Sequence, residues 1–554
     1  MENISLSLMW GLILLLGLLF IARRSRSSLN KIQGPPWSSW IYGHLREILL
    51  PSHYGEHESK WQSQYGSLYK IKGAFGEDRL MVSDPGALKQ IMGDTETFVR
   101  SDHHQQIVLS LIGDKSLLYV QKGDHSRLRG IMNPAFSPAN IRALPPLFRN
   151  VSERMIEKWE KKRTTLRPNQ PFDVFHPLHE VTLDAIGEAA VGYLFHAEKD
   201  GEEYARSHHN LVALSSTRSP AGILVDAILP LLPHFIHRAL LYLPTPELRA
   251  LHKNRTMSAR VSTRLIKSKT AALREGFGDD KDLLSVLVKA NTLKDGAPKM
   301  TSLELAHQIP TAVVAGQGGT ATTLVWALYE LAKNPDFQHK LRAEISETGP
   351  PDGELSYADL ERMPLLNALV KVNVVFLVSE LFIQPSPQEV LRFHAGLPVS
   401  ERVATKDTVL QLSQPITSTT GEQLSSVAIK KGQFIFFCPL VVQQVCPALP
   451  TIWGPDAHEF KPSRWLKGTP YRGQAMGPYS NLLTFLQGPR MCIGWRFAIT
   501  EVQVIITELL KRYSFELPPN VEIHCNVAVT LIPVTVDGGD PALPLIVRPV
   551  ESSV

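Results

Sequence analysis

Phe485–Gly494, FLQGPRMCIG, followed by the apolar helical run Trp495–Tyr513, is the stretch on which the reading of this chain turns. A loop of this form delivers one thiol to the start of a helix. Free backbone N–H groups and the positive helix end there favour thiolate over thiol. Gly488 and Gly494 permit tight turning and close approach of a flat ligand to the backbone. Arg490, two residues before the thiolate, can meet an anionic group. A lone cysteine is most often a buried structural one, but the F-x-x-G-x-R-x-C-x-G spacing points to a ligand instead.

Working outward, the 554 residues suggest three or four domains, or one large one. Apolar residues make up 44% and charged residues 20%, enough to bury a large core and to exclude disorder as the main state. A net charge of +5 is too mild to argue for a nucleic-acid partner. Four cysteines exclude a disulfide-stapled secreted scaffold. Only Ile4–Ala22 is long and apolar enough to span a bilayer. Arg23, Arg24 and Arg26 follow it at once, so the positive-inside rule leaves the body of the chain in the cytosol. A cleaved signal peptide would need positive charge before the apolar run and a small-residue cleavage site after it, and neither is present. Gly34-Pro35-Pro36-Trp37 then forms a stiff extended turn.

Helical periodicity dominates over Ser152–Trp159, Thr256–Leu273, Ser302–Ala332 and Phe337–Ile345. Short alternating runs at Ser67–Lys72, Arg79–Val82, Val403–Val409 and Gln433–Phe437 read as strands. The fold class is therefore mainly α with a minor β-sheet region, one large unit preceded by one N-terminal transmembrane helix.

The cysteine stretch resembles the haem-binding loop of the cytochrome P450 family, with every key position present. The resemblance implies the cytochrome P450 fold, heme b (iron protoporphyrin IX) as cofactor, and Cys492 as the axial thiolate of its iron, with Phe485, Gly488, Arg490 and Gly494 around it. A thiolate ligand pushes electron density onto iron and favours O–O cleavage, the chemistry of an oxygenase. Glu389 and Arg392 resemble the family's E-x-x-R, placed on one helix face by their i,i+3 spacing, and Arg464 resembles the third member of that buried triad. His125 and Arg129, in the run Gly123–Arg129, resemble residues that hold a haem propionate. Arg402 resembles a second propionate ligand and Arg490 a third, since a guanidinium binds carboxylate bidentately.

Ala315–Ala321, AGQGGTA, spells a dinucleotide-binding turn, but no strand ending in an acid follows it, as that site requires. Aligned on Trp326–Tyr329, the segment resembles the family's long distal helix, whose usual form is A-G-x-(Asp/Glu)-Thr-Thr. Gly316 and Thr320 match and are assigned to the catalytic site, Thr320 as a proton relay. Gly318 stands for the acid and Gly319 for the first threonine. The usual proton route is thereby removed, leaving Thr320, Thr322 or ordered water to replace it, or a rearrangement or peroxide-driven reaction. Two adjacent glycines cost roughly 1 kcal/mol each against alanine, and a local opening of the helix is expected.

Met363–Lys371 would join smoothly to Glu389–His394 as one helix. Between them lie the 17 residues Val372–Gln388, a strongly apolar strip that needs burial or a membrane. Their length is in frame and their end codons suit GT and AG, so they read as an unspliced intron. Ser386–Glu389 also spells a capping box, which would set Glu389 in competition between the cap and Arg464 and break the helix before Glu389. Cys438 and Cys446 lack further ligands at metal spacing and read as structural or artefactual.

The resemblance thus implies a membrane anchor and basic linker over residues 1–33 and a catalytic domain over 34–554, held at the endoplasmic reticulum membrane and phrased like fungal members that tailor secondary metabolites. Such an enzyme inserts one atom of O2 into a lipophilic molecule, a terpenoid for example. Its electrons come from NADPH through a separate NADPH–cytochrome P450 reductase. The apolar lining expected from Ile107–Leu118, Ala312–Thr323 and Gly396–Val399 suits such a substrate. Three other readings stay open: a haem-thiolate isomerase or dehydratase, a flavin or nicotinamide dehydrogenase, and an inactive mis-spliced product.

Overall fold

The computed structural model describes residues 28–51, 53–167, 169–195, 199–216, 219–228, 245–276, 282–293, 299–349, 355–370, 389–444, 456–465, 477, 482–536 and 540–550. The anchor Ile4–Ala22, the strip Val372–Gln388 with its break before Glu389, and Cys446 lie outside the described residues. Among the described residues no helix is long and apolar enough to cross a membrane.

The helices that position the site are, in chain order, α1 (Pro85–Gly93), α2 (Asp102–Leu111), α3 (Lys122–Met132), α4 (Pro145–Arg163), α5 (Phe175–Val191), α6 (Pro246–Arg274), α7 (Ser302–Lys333), α8 (Pro335–Thr348), α9 (Pro364–Val370), α10 (Glu389–Phe393) and α11 (Trp495–Arg512). Each periodic run of the sequence falls inside one of them, for a visible reason. In α4, Phe148, Val151, Met155 and Trp159 recur at helical spacing and are all buried. Pro145, Pro246 and Pro335 stand in first turns, where a missing N–H costs nothing. Thr301 and Glu304 close a full capping box at the start of α7.

α7 is the central element and packs against α5 and α11. It runs unbroken through Gly318 and Gly319, so the expected local opening does not occur. The glycine cost is met by packing, since Leu324, Val325, Ala327, Leu328 and Leu331 are fully buried just beyond. Trp326 fixes the helix in place. Its indole N–H donates to Leu531 O at 3.1 Å, and its ring stacks on His394 at 4.4 Å.

Strands β1 (Leu68–Lys72), β2 (Asp78–Val82), β3 (Phe98–Val99), β4 (Ser400–Ala404), β5 (Thr408–Thr417), β6 (Gln423–Ile429) and β7 (Phe434–Phe437) make two sheets. The larger has the order β1-β2-β7-β4-β3, with β2 and β7 parallel and the other neighbours antiparallel. The single strand expected over Val403–Val409 is two, β4 and the start of the β5–β6 hairpin. Thr405-Lys406-Asp407 turns the chain between them, with Asp407 accepting the Lys431 N–H at 2.8 Å.

Candidate active site

The cysteine loop is closed by its own backbone. Cys492 N–H donates to Phe485 O at 2.9 Å and Met491 N–H to Gly488 O at 3.1 Å. Gly488 has φ +71°, and a Cβ there would lie 2.4 Å from Met92 O at the end of α1. Glycine is obligatory at this position on both counts. The close approach is to α1, however, and not to a ligand as the sequence suggested. Gly494 caps α11 with φ −93°, and a Cβ would make an ordinary 3.5 Å contact with Phe136. No steric demand fixes it as glycine.

Cys492 is exposed at its own surface although the loop lies deep in the fold, whereas Cys438 is buried beside Tyr54 and Cys525 is half-buried. Burial pushes the Cys492 thiol up, against the Gly494 N–H and the positive charge of Arg129, which lower it. The helix start therefore does not by itself tip the group to thiolate, contrary to expectation. Desolvation outweighs it, and a bound metal is the agent that displaces such a proton.

Around this loop the structure gathers cations. Arg129 donates to Met491 O and Arg490 to Val120 O, both at 2.6 Å, tying the loop to α3 and the segment before it. Val99 pairs with Val403 in the β3–β4 ladder, and one step on the same register brings Arg100 beside Arg402. Like charges facing across strands are destabilising. Arg402 is held down to about 9 by burial first, then by Arg100 and Arg490, with Glu401 opposing. Burial brings Arg100 to about 10, and burial with Arg100 and Arg129 brings Arg490 to about 9. Buried Arg100 Nε has no hydrogen-bond partner. His125 is lowered to about 3 by burial, Arg490, Arg129 and Arg100, and His104 is pushed down by burial, Arg100, Arg402, His103 and Arg490. Both imidazoles are neutral donors. The sequence named His125, Arg129, Arg402 and Arg490 but missed Arg100 and His104, which belong to no fixed spacing and meet the others only through sheet register.

Above the loop's level in the chain order, α7 presents an open side. Ala315 is exposed in mid-helix, and a Cβ at Gly319 would meet nothing within 4 Å. A Cβ at Gly396 would lie 3.8 Å from Gly319 Cα, and Thr530, which sequence reading missed, lies 3.7 Å from a Cβ at Gly318. At Gly316, assigned to the catalytic site from the sequence, a Cβ would lie 2.6 Å from Ile186 of α5, so the glycine lets the two helices approach. Thr320 is buried and donates its hydroxyl hydrogen to Gly316 O at 3.0 Å.

The triad residues come together. Glu389 takes Arg392 Nη2 at 2.6 Å and Nε at 2.8 Å, with Arg464 Nε at 3.5 Å. Lys461 N–H and Trp465 Nε1–H also donate to it, each at 2.8 Å. Its carboxylate is thus engaged by these partners, while the expected cap at Ser386 lies outside the described residues. Among the described residues no cluster of three or more His, Cys, Asp or Glu side chains that could hold a metal exists.

The model of the family described as cytochrome P450 matches residues 33–532. Cytochrome P450 monooxygenase 205 of Postia placenta is 31% identical, covering 96% of this chain and 95% of the relative. Ganoderic acid synthetase of Ganoderma lucidum is 31% identical over 89% of each chain. A monooxygenase of Ampulloclitocybe clavipes is 29% identical over 98% and 97%. Since the likeness runs from before the first strand to beyond the cysteine helix, this chain belongs to the cytochrome P450 family.

Proposed function

We propose that this member is a haem-thiolate monooxygenase in which Cys492 Sγ holds the iron of heme b and the arginine cluster holds its carboxylates. The carrying observation is the set of three arginines, Arg402 buried and Arg100 and Arg490 half-buried, that repel one another beside the only exposed thiol among the described residues. Such a cluster costs free energy unless an anion completes it. The two propionates of the cofactor are anions of the right charge, and His125, His104 and Arg129 add donors. The family is one of haem-thiolate oxygenases, so the residues present fit the group.

When bound, the haem supplies reductive activation of O2 and oxygen insertion. The overall balance is RH + O2 + NADPH + H⁺ giving ROH + H2O + NADP⁺. The protein's own part is to fix the thiol by the Phe485–Cys492 hydrogen bond, to neutralise the carboxylates, and to leave room over Ala315 and Gly319. The lining near Gly396 and Thr530 is small or apolar, which suits a lipophilic molecule, and we take a terpenoid as the substrate class. The name of one relative, ganoderic acid synthetase, and the fungal origin of the others support a place in secondary metabolism. Electrons would come from a separate NADPH–cytochrome P450 reductase at the endoplasmic reticulum membrane, where Ile4–Ala22 anchors the chain with its catalytic domain in the cytosol.

The test uses the full-length protein with that reductase, NADPH and ¹⁸O2 on a panel of terpenoid hydrocarbons and alcohols. One labelled oxygen atom per product molecule is expected. Gly318 and Gly319 favour a second reading, an isomerase or dehydratase, and product formed without O2 or NADPH would establish that reading and overturn the first. We further propose that residues 34–554 form the catalytic unit and that Val372–Gln388 are retained intron sequence. Sequencing the mature transcript should show the 51 corresponding nucleotides absent, and a mature message that encodes them would defeat the idea.

A further inference from the structure

Gly113–Val120, between α2 and α3, forms turns but no helix or strand, so its backbone groups need partners elsewhere. Gln308 of α7 supplies them at one end. Its Nε2 donates to Lys115 O at 3.0 Å and to Glu304 O at 2.9 Å, and its Oε1 accepts the Leu117 N–H at 3.1 Å. The amide is buried, and both of its hydrogens are used. Beside it, His307 Nδ1 accepts the Lys115 N–H at 3.2 Å. Gly113, at φ +123°, packs against the His307 ring, where a Cβ would come within 2.3 Å of Cε1. The other end of the segment meets the cation cluster. Val120 O accepts from Arg490 Nη2 at 2.6 Å, and Leu118 O from Arg100 Nη1 at 3.5 Å. Between the two ends stands Ser116, fully buried. Its hydroxyl donates to Gly113 O at 3.0 Å and accepts the Tyr119 N–H at 3.2 Å. Its carbonyl accepts from Tyr119 N–H and Val120 N–H, each at 3.0 Å. The segment is braced within itself and tied at both ends.

We propose that Gly113–Val120 is a strap through which Gln308 of α7 positions Arg490 of the cysteine loop. Arg490 needs such a hold, because the like charges of Arg100 and Arg129 press on it and would turn it toward water. Its bond to Val120 O keeps the guanidinium beside the loop, two residues before Cys492. Gln308 therefore acts through Arg490 and is a positioning residue. The consequence rests on the haem-thiolate reading, in which Arg490 meets a carboxylate of the cofactor. A side chain on α7, about two turns before the open side at Ala315, then governs how firmly that carboxylate is held. Such coupling runs both ways. Whatever steadies Arg490 steadies the strap, and a molecule that displaces the strap from α7 loosens Arg490.

The first arm of the test needs no turnover. Hydrogen exchange of the purified full-length protein is followed by mass spectrometry on peptides covering Gly113–Val120. Arg490→Leu, at the far end of the strap, should speed exchange of the Lys115 and Leu117 amides roughly 10-fold, within the usual span of coupling between sites. Ser116→Ala, which removes the brace, should do the same and serves alone if Arg490→Leu fails to fold. Unchanged exchange at both amides overturns the proposal. The second arm follows transfer of haem from the full-length holoprotein to excess apomyoglobin. Gln308→Leu should speed the loss roughly 10-fold, as removal of an outer-shell partner does. Thr182→Val is the control: that hydroxyl is equally buried but bonds only within α5, to Leu178 O at 3.1 Å and His179 O at 3.2 Å, and its loss should leave the rate unchanged. Adding Gln308→Leu to Arg490→Leu should change little beyond Arg490→Leu alone. Effects that multiply would show the two residues to be independent and overturn the strap. A wild type without the thiolate–haem band rejects the haem-thiolate reading instead, and the exchange arm then decides the strap by itself.

Discussion

Cys492→Ser should abolish the thiolate–haem band in the carbon-monoxide difference spectrum of the reduced protein while leaving the fold intact. A cysteine can do two separate jobs, packing and ligation. Cys492 contributes little packing, since its thiol surface is exposed, and the loop is closed by its backbone N–H to Phe485 O, which serine retains. The stability of the haem-free protein should therefore change no more than for an ordinary surface substitution, within about 0.5 kcal/mol. A serine hydroxyl does not supply a thiolate. Haem affinity should fall by more than the roughly 10- to 100-fold typical of losing an outer-shell partner. Cys438→Ser and Cys525→Ser are the controls. Cys438 is buried against Tyr54, whose hydroxyl also donates to Pro398 O at 2.6 Å, so its substitution should lower stability and spare the band. If the serine protein at 492 keeps the pigment with unchanged absorbance, the axial ligand lies elsewhere.

What could be seen in the sequence follows from the range over which each signal acts. The cysteine loop was legible because its chemistry is local: ten consecutive residues fix the turn, the cap and the ligand. The long helices were legible because burial repeats at helical spacing along one segment. Arg100 was invisible because it becomes part of the site only when β3 pairs with β4, three hundred residues later in the chain. Val403–Val409 misled because alternation continues through a three-residue polar turn. The glycine pair in α7 misled in the other direction, since roughly 2 kcal/mol of intrinsic preference is small beside the burial of one helix face.

Breaking the Glu389–Arg392 pair should be the most destabilising single change within the described residues. Both side chains are fully buried. The five N–H donors of Arg392 are all engaged: Nε and Nη2 with Glu389, Nη2 with Glu459 O at 2.9 Å, and Nη1 with Ala457 O at 2.5 Å and Gln443 O at 3.3 Å. The pair therefore staples α10 to the segment 456–465, which itself leads toward the cysteine loop. Removing one partner leaves the other as a buried, uncompensated charge, at a cost of about 3–5 kcal/mol. Glu389→Ala and Arg392→Ala should each lower the unfolding free energy read from urea titration by that amount and lose haem as a consequence. Arg464→Ala should cost less, because Arg464 stands 3.5 Å from Glu389 and also meets Asp456 at 2.5 Å on a partly exposed edge. The double change Glu389→Met/Arg392→Met decides between a charge effect and a packing effect. It removes both charges at similar volume, so its cost should fall well below the sum of the single costs. It will not reach zero, since Lys461 N–H, Trp465 Nε1–H and three carbonyls lose their partners. Strict additivity of the two single changes would show that the carboxylate and the guanidinium act independently, and that this triad does not hold the frame around the cysteine loop.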